Sequence, residues 1–327
     1  MKAFVHEYGE LKLKEMNEPF ADHGQVAVAI RTAGLNRRDV AVPNRRGEDA
    51  GALILGSDGA GLIEAVGEGV SEFSVGDEVI INPSLGWYEN TEAPPKQFDI
   101  LGMPDNGTFT EYIVLPAEQV EQKPAHLSWE EAGVLALSAL TGYRALFTKG
   151  KVQEGETLFI PGAGSGVATY LIQFAKQAGA RIIVTSRSEE KRQQALELGA
   201  DRALNTNSDW PVELREETID IVIDSVGKAT FNHSLEVLKK GGRLVTFGAT
   251  TEDTIELNLR KFFYGQYKLI GTTMGSQEEL RAMLELVDEH QIHPIVDRTY
   301  TLDEAHDAMA YLKASKQFGK VALKITN

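Results

Sequence analysis

The sequence predicts an α/β protein of two domains, the first β-rich and the second built on a doubly wound parallel sheet. Residues 1 to about 120 contain short apolar segments separated by Gly, Asp and Pro, which is typical of a compact barrel-like module. From Ser128 onward, apolar strands alternate with helical segments, as in a parallel sheet with helices on both faces. The length of 327 residues suffices for two domains with sizeable cores.

The elements of the β-rich module are predicted from short apolar runs. The predicted strands cover residues 25–30, 53–55, 61–66, 78–81 and 109–114. Between residues 82 and 108 the strand pattern stops, and this stretch is long for a connection without structure. Two interpretations of this lobe stay open: a functional loop, or a small body packed by Trp87, Tyr88 and Phe98.

The second half is predicted from a capping box, a series of apolar strands and the helices between them. Ser128 and Glu131 have the spacing of a capping box at the start of a helix that reaches Leu140. The predicted strands are 158–160, 181–185, 219–223, 243–247 and 268–271, and the predicted helices are 141–149, 167–178, 191–198 and 230–238. Helices at 277–289 and 302–314 and a strand at 320–325 follow a complete sheet, so we expect them to rejoin the first domain.

The stretch from Thr157 to Thr169 carries the clearest functional signal. An apolar strand ends at Ile160, a glycine-rich turn follows, and helical spacing begins at Val167. A turn without Cβ atoms lets backbone N–H groups approach a ligand, and the first helical turn adds unpaired donors and the positive end of the helix dipole. The residues of this segment predicted to bind a dinucleotide pyrophosphate are Gly162, Ala163, Gly164, Ser165, Gly166 and Val167.

The end of the next strand indicates which nicotinamide cofactor is bound. About twenty residues beyond the glycines, NAD enzymes carry a carboxylate that binds the ribose hydroxyls. This chain has Ser186 and Arg187 there, with Lys191 nearby, and these groups attract a ribose 2′-phosphate rather than repel it. NADPH is therefore the predicted cofactor. The alternative is that Arg187 lies on a solvated loop and has no role in binding.

The composition excludes several classes of function. Because the chain has no cysteine, it cannot form disulfides, thiolate metal sites or a cysteine nucleophile. The formal net charge of -15 argues against a nucleic-acid partner. No apolar run approaches the ~18 residues of a membrane span, and the N-terminus lacks the order of a signal peptide. We therefore expect a cytoplasmic protein that acts on a small-molecule substrate and has no membrane partner.

Motifs spread over nearly the whole chain resemble one known superfamily. They are AGLN (33–36), LGSDGAG (55–61), AVGEGV (65–70), GDEV (76–79), ALTGYRAL (139–146), PGAGSGVA (161–168), GGRLVTFG (241–248) and FGKVAL (318–323). In this order they resemble the medium-chain dehydrogenase/reductase superfamily, in particular its quinone oxidoreductase-like and zinc-type alcohol dehydrogenase-like branch. The resemblance implies a GroES-like β-barrel domain at 1–125, completed by 271–327, and a Rossmann domain at 126–270. It also implies a homodimer, in which the edge strand at 268–271 pairs across a two-fold axis.

The metal ligands of this superfamily are missing at the matching positions. Zinc-dependent members bind the catalytic metal through Cys, His and Cys, where this chain has Asn36, Ser57 and Leu137. Zinc prefers thiolate, imidazole or carboxylate ligands, so an amide, a hydroxyl and an alkyl chain do not form its site. His290 and His293 are the closest histidine pair, and no third ligand accompanies them. The sequence therefore predicts no metal site.

The resemblance also assigns residues to the cofactor. It implies that Arg37 reaches the pyrophosphate and that Thr141 lies near the nicotinamide, where Thr141 is a catalytic candidate. The residues implied at strand ends on the cofactor side, or at the edge of the cleft, are Phe247, Gly248, Thr272, Met274 and Lys320. A core role is the alternative for Phe247 and Met274.

Without a metal, hydrogen-bond donors must stabilise the charge that develops on the hydride acceptor. Asn36 is the first candidate donor, and capping of a loop is its alternative role. Tyr88 is a candidate proton donor, because the Tyr that follows the Asn in many relatives is missing here. Asp58 is expected to anchor Arg37 or a backbone amide. The arginines between residues 38 and 46 either guide an anionic substrate or form a solvated edge.

These features predict a zinc-independent, NADPH-dependent reductase of quinones or α,β-unsaturated carbonyl compounds. An activated acceptor of this kind takes hydride with only hydrogen bonds on its oxygen, whereas a simple carbonyl without zinc loses several kcal/mol of oxyanion stabilisation that hydrogen bonds would have to replace. Two alternatives stay open: a zinc-type alcohol/aldehyde dehydrogenase-like enzyme, and a protein that binds NADPH without catalysis.

Overall fold

The computed structural model describes residues 1–326, which divide into two compact units. Unit 1 contains Met1–Leu140 and the segment from Gly275 onward, and unit 2 contains Thr141–Met274. The predicted α/β fold class is confirmed, because unit 1 is β-rich and unit 2 carries a parallel sheet. None of the helices formed by residues 1–326 combines the length and the apolar character that a bilayer crossing requires.

The elements are numbered in chain order. Residues 1–143 form β1 (Lys2–Glu7), β2 (Glu10–Glu15), β3 (Gln25–Gly34), α1 (Arg37–Arg45), β4 (Leu53–Ile54), β5 (Asp58–Val66), β6 (Glu78–Ile81), β7 (Ser84–Leu85), β8 (Asp99–Ile100), β9 (Tyr112–Pro116), β10 (Val120–Gln122), α2 (Trp129–Gly133) and α3 (Ala136–Tyr143). The rest of unit 2 forms β11 (Thr157–Pro161), α4 (Gly166–Gln177), β12 (Arg181–Ser186), α5 (Glu189–Leu198), β13 (Arg202–Asn205), α6 (Trp210–Glu213), β14 (Ile219–Asp224), α7 (Lys228–Val237), β15 (Leu238–Thr246), α8 (Leu259–Gly265) and β16 (Lys268–Gly271). The returning segment of unit 1 forms α9 (Gln277–Glu289), β17 (Val296–Thr301), α10 (Ala305–Lys313) and β18 (Lys320–Lys324).

The main sheet of unit 1 is organised around β3. Its strand order is β10-β6-β5-β3-β18-β17, with β9 also paired to β3, and a second sheet has the order β2-β1-β4. Every residue of β3 except Gln25 and Arg31 is buried, so the strand is almost continuously apolar and small rather than alternating. Because β18 pairs antiparallel with β3, the C-terminal segment belongs to unit 1. The core includes Phe4, Val28, Ile30, Leu55, Ile63, Phe109 and Leu323.

A close backbone approach at Gly34 brings three elements together at the end of β3. A Cβ atom on Gly34 would lie 2.7 Å from the carbonyl oxygen of Gly133 and 3.0 Å from the Cβ of Asp58. Only glycine allows α2 and β5 to come this near to β3. Because α2 is held against the barrel strands, unit 1 extends to Leu140, later than the expected boundary at 125. The second boundary, after Met274, also falls later than the expected 270.

The lobe between β6 and β9 is packed by aromatic side chains. Trp87 is 1% exposed and meets Phe98 in a T-shaped contact with ring centroids 5.1 Å apart. The indole N–H of Trp87 donates to Thr91 Oγ1 at 3.0 Å, and β7 pairs with β8 beside it. Of the two open interpretations of this lobe, the structure has the packed body. Tyr88 is 45% exposed and does not share the burial of Trp87.

Unit 2 is a parallel sheet with the order β13-β12-β11-β14-β15-β16. All residues of β11 are buried, as its apolar run predicts. The strand order reverses between β11 and β14, and ligands of doubly wound sheets bind at such a switch point, beyond the carboxyl ends of the strands. The expected helix at 141–149 is instead the end of α3, continued by a π-helical turn at Arg144–Lys149.

Candidate functional site

The glycine-rich turn after β11 is fixed to β12 by its first two amides. Gly162 has a φ of +83°, which a residue with a side chain rarely adopts. Its N–H and that of Ala163 donate to the carbonyl oxygen of Thr185 at 3.1 and 2.8 Å. These two amides therefore shape the turn, and the binding roles of Gly162 and Ala163 toward a pyrophosphate stay predictions.

The start of α4 leaves backbone donors without acceptors. Ser165 is the N-cap, and its hydroxyl oxygen accepts from the N–H of Ala168 at 3.1 Å. Within residues 1–326, the N–H groups of Gly164, Gly166 and Val167 have no hydrogen-bond acceptor. Unpaired amides at the positive end of a helix dipole form an anion site. This part of the turn fits a pyrophosphate.

Arg187, directly after β12, is the side chain of the predicted ribose-phosphate site that is most available to a ligand. It is exposed, and within the described part of the chain its guanidinium has no hydrogen-bond or ion-pair partner. Ser186 is buried, and its hydroxyl oxygen accepts from the N–H of Ser188 at 3.2 Å. Lys191 lies in the first turn of α5, is half-buried and takes part in an interaction of its own. Arg187 is thus the side chain of this group best able to meet a 2′-phosphate.

Thr272 presents an unsatisfied hydroxyl just beyond the end of β16. Its N–H donates to the carbonyl of Thr246 at 2.9 Å, and its Oγ1 is inaccessible and has no partner within residues 1–326. A buried hydroxyl without a partner costs free energy unless a ligand supplies one. Phe247 is half-buried, Gly248 is exposed, and Met274 is buried with a φ of +25°. Their roles toward a cofactor, like that of the buried Thr141, stay predictions.

The sequence analysis missed Asp224, which shapes the turn after β14. Asp224 is fully buried, and its Oδ1 accepts from the N–H groups of Val226 and Gly227 at 2.8 and 3.2 Å. Its Oδ2 accepts from the hydroxyls of Thr230 and Ser234 at 2.7 and 3.0 Å. The carboxylate therefore fixes the backbone at the second strand that flanks the switch point. A lone Asp at a strand end is the signal that could have indicated it.

In unit 1, four polar side chains from distant segments meet in the interior: Asn36, Asp58, Ser138 and Lys320. Their exposed fractions are 6%, 0%, 4% and 3%. Lys320 Nζ donates to Asn36 Oδ1 at 2.6 Å, to Asp58 Oδ2 at 3.0 Å and to Ser138 Oγ at 3.1 Å. All three ammonium hydrogens therefore have acceptors. Each of them is directed to a protein oxygen, and the role that the resemblance implies for Lys320 toward a cofactor stays a prediction.

The orientation of the Asn36 amide follows from this contact. Because an ammonium group has only donors, the oxygen of the amide must face Lys320. The Asn36 Nδ2 group then donates to Asp58 Oδ2 at 2.9 Å and, at 3.4 Å, to the carbonyl of Gly34. Asn36 is therefore not a free donor, although one of its amide hydrogens is held only at the longer distance. Asp58 Oδ1 accepts from the N–H of Leu137 at 2.6 Å, so Asp58 anchors a backbone amide and not Arg37.

The arginines near Asn36 form α1, a helix that the sequence analysis did not predict. Arg37 is exposed and donates to Ser315 and to the carbonyl of Lys313. Arg38 points inward and donates to Ser57 Oγ and to the carbonyl of Leu101, both at 2.6 Å. Arg38 thus ties α1 to Ser57 and to the lobe, and it is neither a solvated residue nor a free guide for substrate.

Asp39 is a buried carboxyl group beside this cluster. Its Oδ2 accepts from the N–H of Asn36 at 2.7 Å, and its Oδ1 has no partner within residues 1–326. Burial raises the pKa of the Asp39 carboxyl to about 7, against the opposing effects of the Arg38 guanidinium and the Asn36 amide. Asp39 therefore exchanges its proton near neutral pH.

Tyr88 does not join the polar cluster. Its hydroxyl donates to Glu118 Oε1 at 2.7 Å. This hydrogen bond to a carboxylate raises the pKa of Tyr88, with a smaller contribution from burial. The hydroxyl proton of Tyr88 is directed to Glu118, and the role of Tyr88 as a proton donor stays a prediction.

Comparisons with known proteins match both units. A family model described as alcohol dehydrogenase GroES-like domain matches residues 22–125, and one described as zinc-binding dehydrogenase matches residues 166–289. A zinc-type alcohol dehydrogenase-like protein of Schizosaccharomyces pombe is 33% identical over 97% of this chain and 96% of its own. An acryloyl-coenzyme A reductase of Metallosphaera sedula is 31% identical over 99% of each chain. The crystal structure of an NAD-dependent alcohol dehydrogenase is 33% identical and has a TM-score of 0.92 over 100% of both chains.

The chain belongs to the medium-chain dehydrogenase/reductase family. At the positions where zinc-dependent members of the family bind their metal, each residue has an internal contact: Asn36 with Lys320, Ser57 with Arg38, and Leu137 with Asp58. Within residues 1–326, no group of three or more His, Cys, Asp or Glu side chains could hold a metal ion. His293, one of the histidines considered above, pairs with Glu131 at 2.8 Å.

The pKa of Asp39 predicts how stability depends on pH. The folded protein keeps this proton up to about pH 7, whereas the unfolded chain releases it near 3.8. The stabilisation is therefore fully present below pH 3.8 and is lost as the pH rises through about 7. In Asp39→Asn this contribution is removed. We expect the free energy of unfolding of the wild type to fall, relative to that of Asp39→Asn, by about 4 kcal/mol at most across this range.

Urea unfolding of both proteins at a series of pH values measures this difference. Asp49→Asn is the control, because Asp49 is exposed. We expect the free energy of unfolding of this variant to depend on pH as that of the wild type does. Parallel curves for the wild type and Asp39→Asn would show that Asp39 titrates in the folded protein as it does in the unfolded chain.

Proposed function

We propose that this protein is a zinc-independent, NADPH-dependent oxidoreductase that transfers hydride to an α,β-unsaturated carbonyl compound or a quinone. Membership of the family supports an oxidoreductase with a nicotinamide cofactor. The observation that carries the finer proposal is the buried network of Asn36, Asp58, Ser138 and Lys320, which offers hydrogen-bond donors where zinc-dependent members of the family have metal ligands.

In this proposal the residues of unit 2 hold the cofactor, which when bound supplies the hydride. The unpaired amides of Gly164, Gly166 and Val167 bind the pyrophosphate. Arg187, free of any partner within residues 1–326, binds the 2′-phosphate of NADPH. The cofactor supplies a hydrogen-bond partner for the buried hydroxyl of Thr272, which has none among the described residues.

The residues of unit 1 suit an acceptor that is already activated. Addition of hydride to the β-carbon of an enone or enoyl thioester moves charge onto the carbonyl oxygen, and donors aimed at that oxygen stabilise it. The weakly held amide hydrogen of Asn36 is a donor of this kind. Without a Lewis acid, an unactivated aldehyde loses several kcal/mol of oxyanion stabilisation, which hydrogen bonds would have to replace, so an activated acceptor is the easier substrate. The match to an acryloyl-coenzyme A reductase supports a thioester acceptor, and quinones are the second class.

We expect purified protein to oxidise NADPH in the presence of enoyl-coenzyme A thioesters, enones or quinones, and excess EDTA to leave the rate unchanged. The loss of NADPH absorbance is measured with each acceptor class, and simple aldehydes serve as the comparison. Turnover of aldehydes alone, and only with added zinc, would favour an alcohol/aldehyde dehydrogenase. Tight NADPH binding without turnover of any acceptor would favour a protein that binds the cofactor without catalysis.

Replacing the predicted 2′-phosphate ligand should change the cofactor preference. In Arg187→Asp the guanidinium is exchanged for a carboxylate that repels the phosphate. We therefore expect NADPH to bind about tenfold or more weakly, and the affinity for NADH relative to NADPH to rise. Titration of both cofactors by calorimetry measures the change. Arg215→Asp is the matched control, since Arg215 is 71% exposed and has the same charge. Equal NADPH affinity in wild type and Arg187→Asp would refute the cofactor assignment.

We further propose a homodimer built on the outer edge of unit 2. β16 is the last strand of its sheet, so the backbone groups on its free side lack partners from the sheet. Apolar side chains are exposed on β16 and on the neighbouring α8: Leu259, Phe263, Tyr264 and Leu269, with exposed fractions from 42% to 69%. An exposed strand edge beside an apolar helix suits pairing with a second copy across a two-fold axis.

The dimer can be tested by sedimentation velocity. We expect the wild type to sediment as a dimer at micromolar concentration, and Phe263→Glu/Tyr264→Glu to sediment as a monomer, because two charges would be buried in the interface. Phe20→Glu is the control, since Phe20 is 79% exposed and lies in unit 1. A monomeric wild type would exclude this assembly.

A further inference from the structure

The zinc ion that the family implies does not fit the polar cluster of unit 1. The three positions of the metal ligands hold an amide, a hydroxyl and an alkyl side chain, in Asn36, Ser57 and Leu137. The nearest carboxylate, Asp58, already accepts hydrogen bonds from Leu137 N at 2.6 Å, Asn36 Nδ2 at 2.9 Å and Lys320 Nζ at 3.0 Å. No ligand set for zinc is left at this place.

The cation in this cluster is the ammonium group of Lys320. It lies among Asn36, Asp58 and Ser138, at 2.6 to 3.1 Å from an oxygen of each, and the side chains are at most 6% exposed. We infer that Lys320 is the fixed cation of the site, in the place of the metal ion, and that it positions Asn36 and Ser138 for the acceptor oxygen. The second half of this inference rests on the proposed function.

Lys320 donates hydrogen bonds to the acceptor atoms of Asn36 and Ser138, so the donor groups of these two side chains remain available to a ligand. Its hydrogens engage the Oδ1 atom of Asn36 and the Oγ atom of Ser138. The hydrogens that remain are held loosely: one Asn36 amide hydrogen is directed to the carbonyl of Gly34 at 3.4 Å, and the Ser138 hydroxyl is directed to Asn36 Oδ1 at 3.3 Å. Both distances exceed the usual ~2.9 Å of a good hydrogen bond, so either donor can turn to a better acceptor.

A substrate carbonyl oxygen that gains negative charge is such an acceptor. Hydrogen bonds to ionised oxygen are about twice as strong as those between neutral groups, so the two donors bind the oxyanion more tightly than the ground-state carbonyl. The positive charge of Lys320, transmitted through hydrogen bonds in a buried cluster, strengthens both donors. Lys320 itself is a positioning residue, because its three hydrogens stay with Asn36, Asp58 and Ser138.

The first test separates this role from that of a structural ion pair. Lys320→Met alone leaves the Asp58 carboxylate buried without its cation, which strongly destabilises the fold. The double variant Lys320→Met/Asp58→Asn removes both charges and nearly keeps both shapes. We expect its melting temperature to recover toward that of the wild type, while kcat for enoyl reduction falls about 100-fold and KM changes little, as for the loss of an oxyanion donor.

A matched control is the double variant Lys2→Met/Asp303→Asn, which removes an exposed ion pair with Nζ and Oδ1 2.9 Å apart. It should keep the kcat of the wild type. A kcat near the wild-type value in Lys320→Met/Asp58→Asn would show that the buried pair is only structural and would overturn the positioning role.

The second test does not depend on activity. Lys320→Ala removes the atoms of a propylammonium ion and leaves Asp58 without its cation, so this variant is expressed and purified in the presence of n-propylammonium. We expect the ion to bind in the space left and to raise the melting temperature of the folded variant saturably. Tetramethylammonium has the charge without N–H donors and should have no such effect, and the melting temperature of Lys2→Ala should not respond to either ion. The absence of a saturable rise in Lys320→Ala would overturn the assignment of a cation site.

The two failures can be told apart. If the wild type reduces no enone, thioester or quinone, the proposed function fails, whereas the propylammonium titration still decides whether the cluster is built around a cation. If the wild type is active and the titration shows no binding, the cation assignment fails and the proposed function stands.

Discussion

A buried ammonium group must find three acceptors, and this requirement organises unit 1. Leaving a charge or a polar group unpaired in the interior costs more than most single contacts contribute. Lys320 meets it with oxygens from the N-cap of α1, the start of β5 and α3, so β18 holds these segments of unit 1 together. Gly34 makes this convergence sterically possible, because any side chain there would collide with α2 and β5. The packing of the barrel and the chemistry of the cluster therefore depend on each other.

Sequence reasoning succeeded where the signal is local. The glycine turn, the capping box at Ser128 and the helix at Gln277–Glu289 are each specified by residues within a few positions of one another, and the structure has all three. The polar cluster was out of reach, because Lys320 and Asn36 are 284 residues apart and no periodicity links them. The same limit explains Gly162 and Ala163: the pattern identifies a turn, but the carbonyl of Thr185 that takes their hydrogens belongs to another strand.

In the lobe between β6 and β9, the sequence identifies the aromatic residues but not which of them are buried. Three aromatic residues predicted a packed body as one possibility, yet only the structure distinguishes the buried Trp87 from the exposed Tyr88. The arginines before the lobe were similarly ambiguous, because α1 contains Pro43 and is polar overall, which hides its helical character. Arg38 turns out to link the two regions through Leu101 and Ser57. Aromatic packing and this guanidinium together hold the lobe.

The charges of the cluster explain why an ammonium group and a metal exclude each other. Lys320 is balanced by Asp58, and Arg38 lies beside Asp39, whose carboxyl is only partly ionised at neutral pH because its pKa is raised by burial. Two like unit charges 4 Å apart repel by about 4 kcal/mol at an effective dielectric constant of about 20. A divalent ion at that distance from Lys320 would double this repulsion. A metal could enter only by expelling Lys320, which would strip Asn36 and Ser138 of the group that orients them. In the proposed enzyme, the amide of Asn36 and the ammonium group of Lys320 therefore act together in the place of the metal ion.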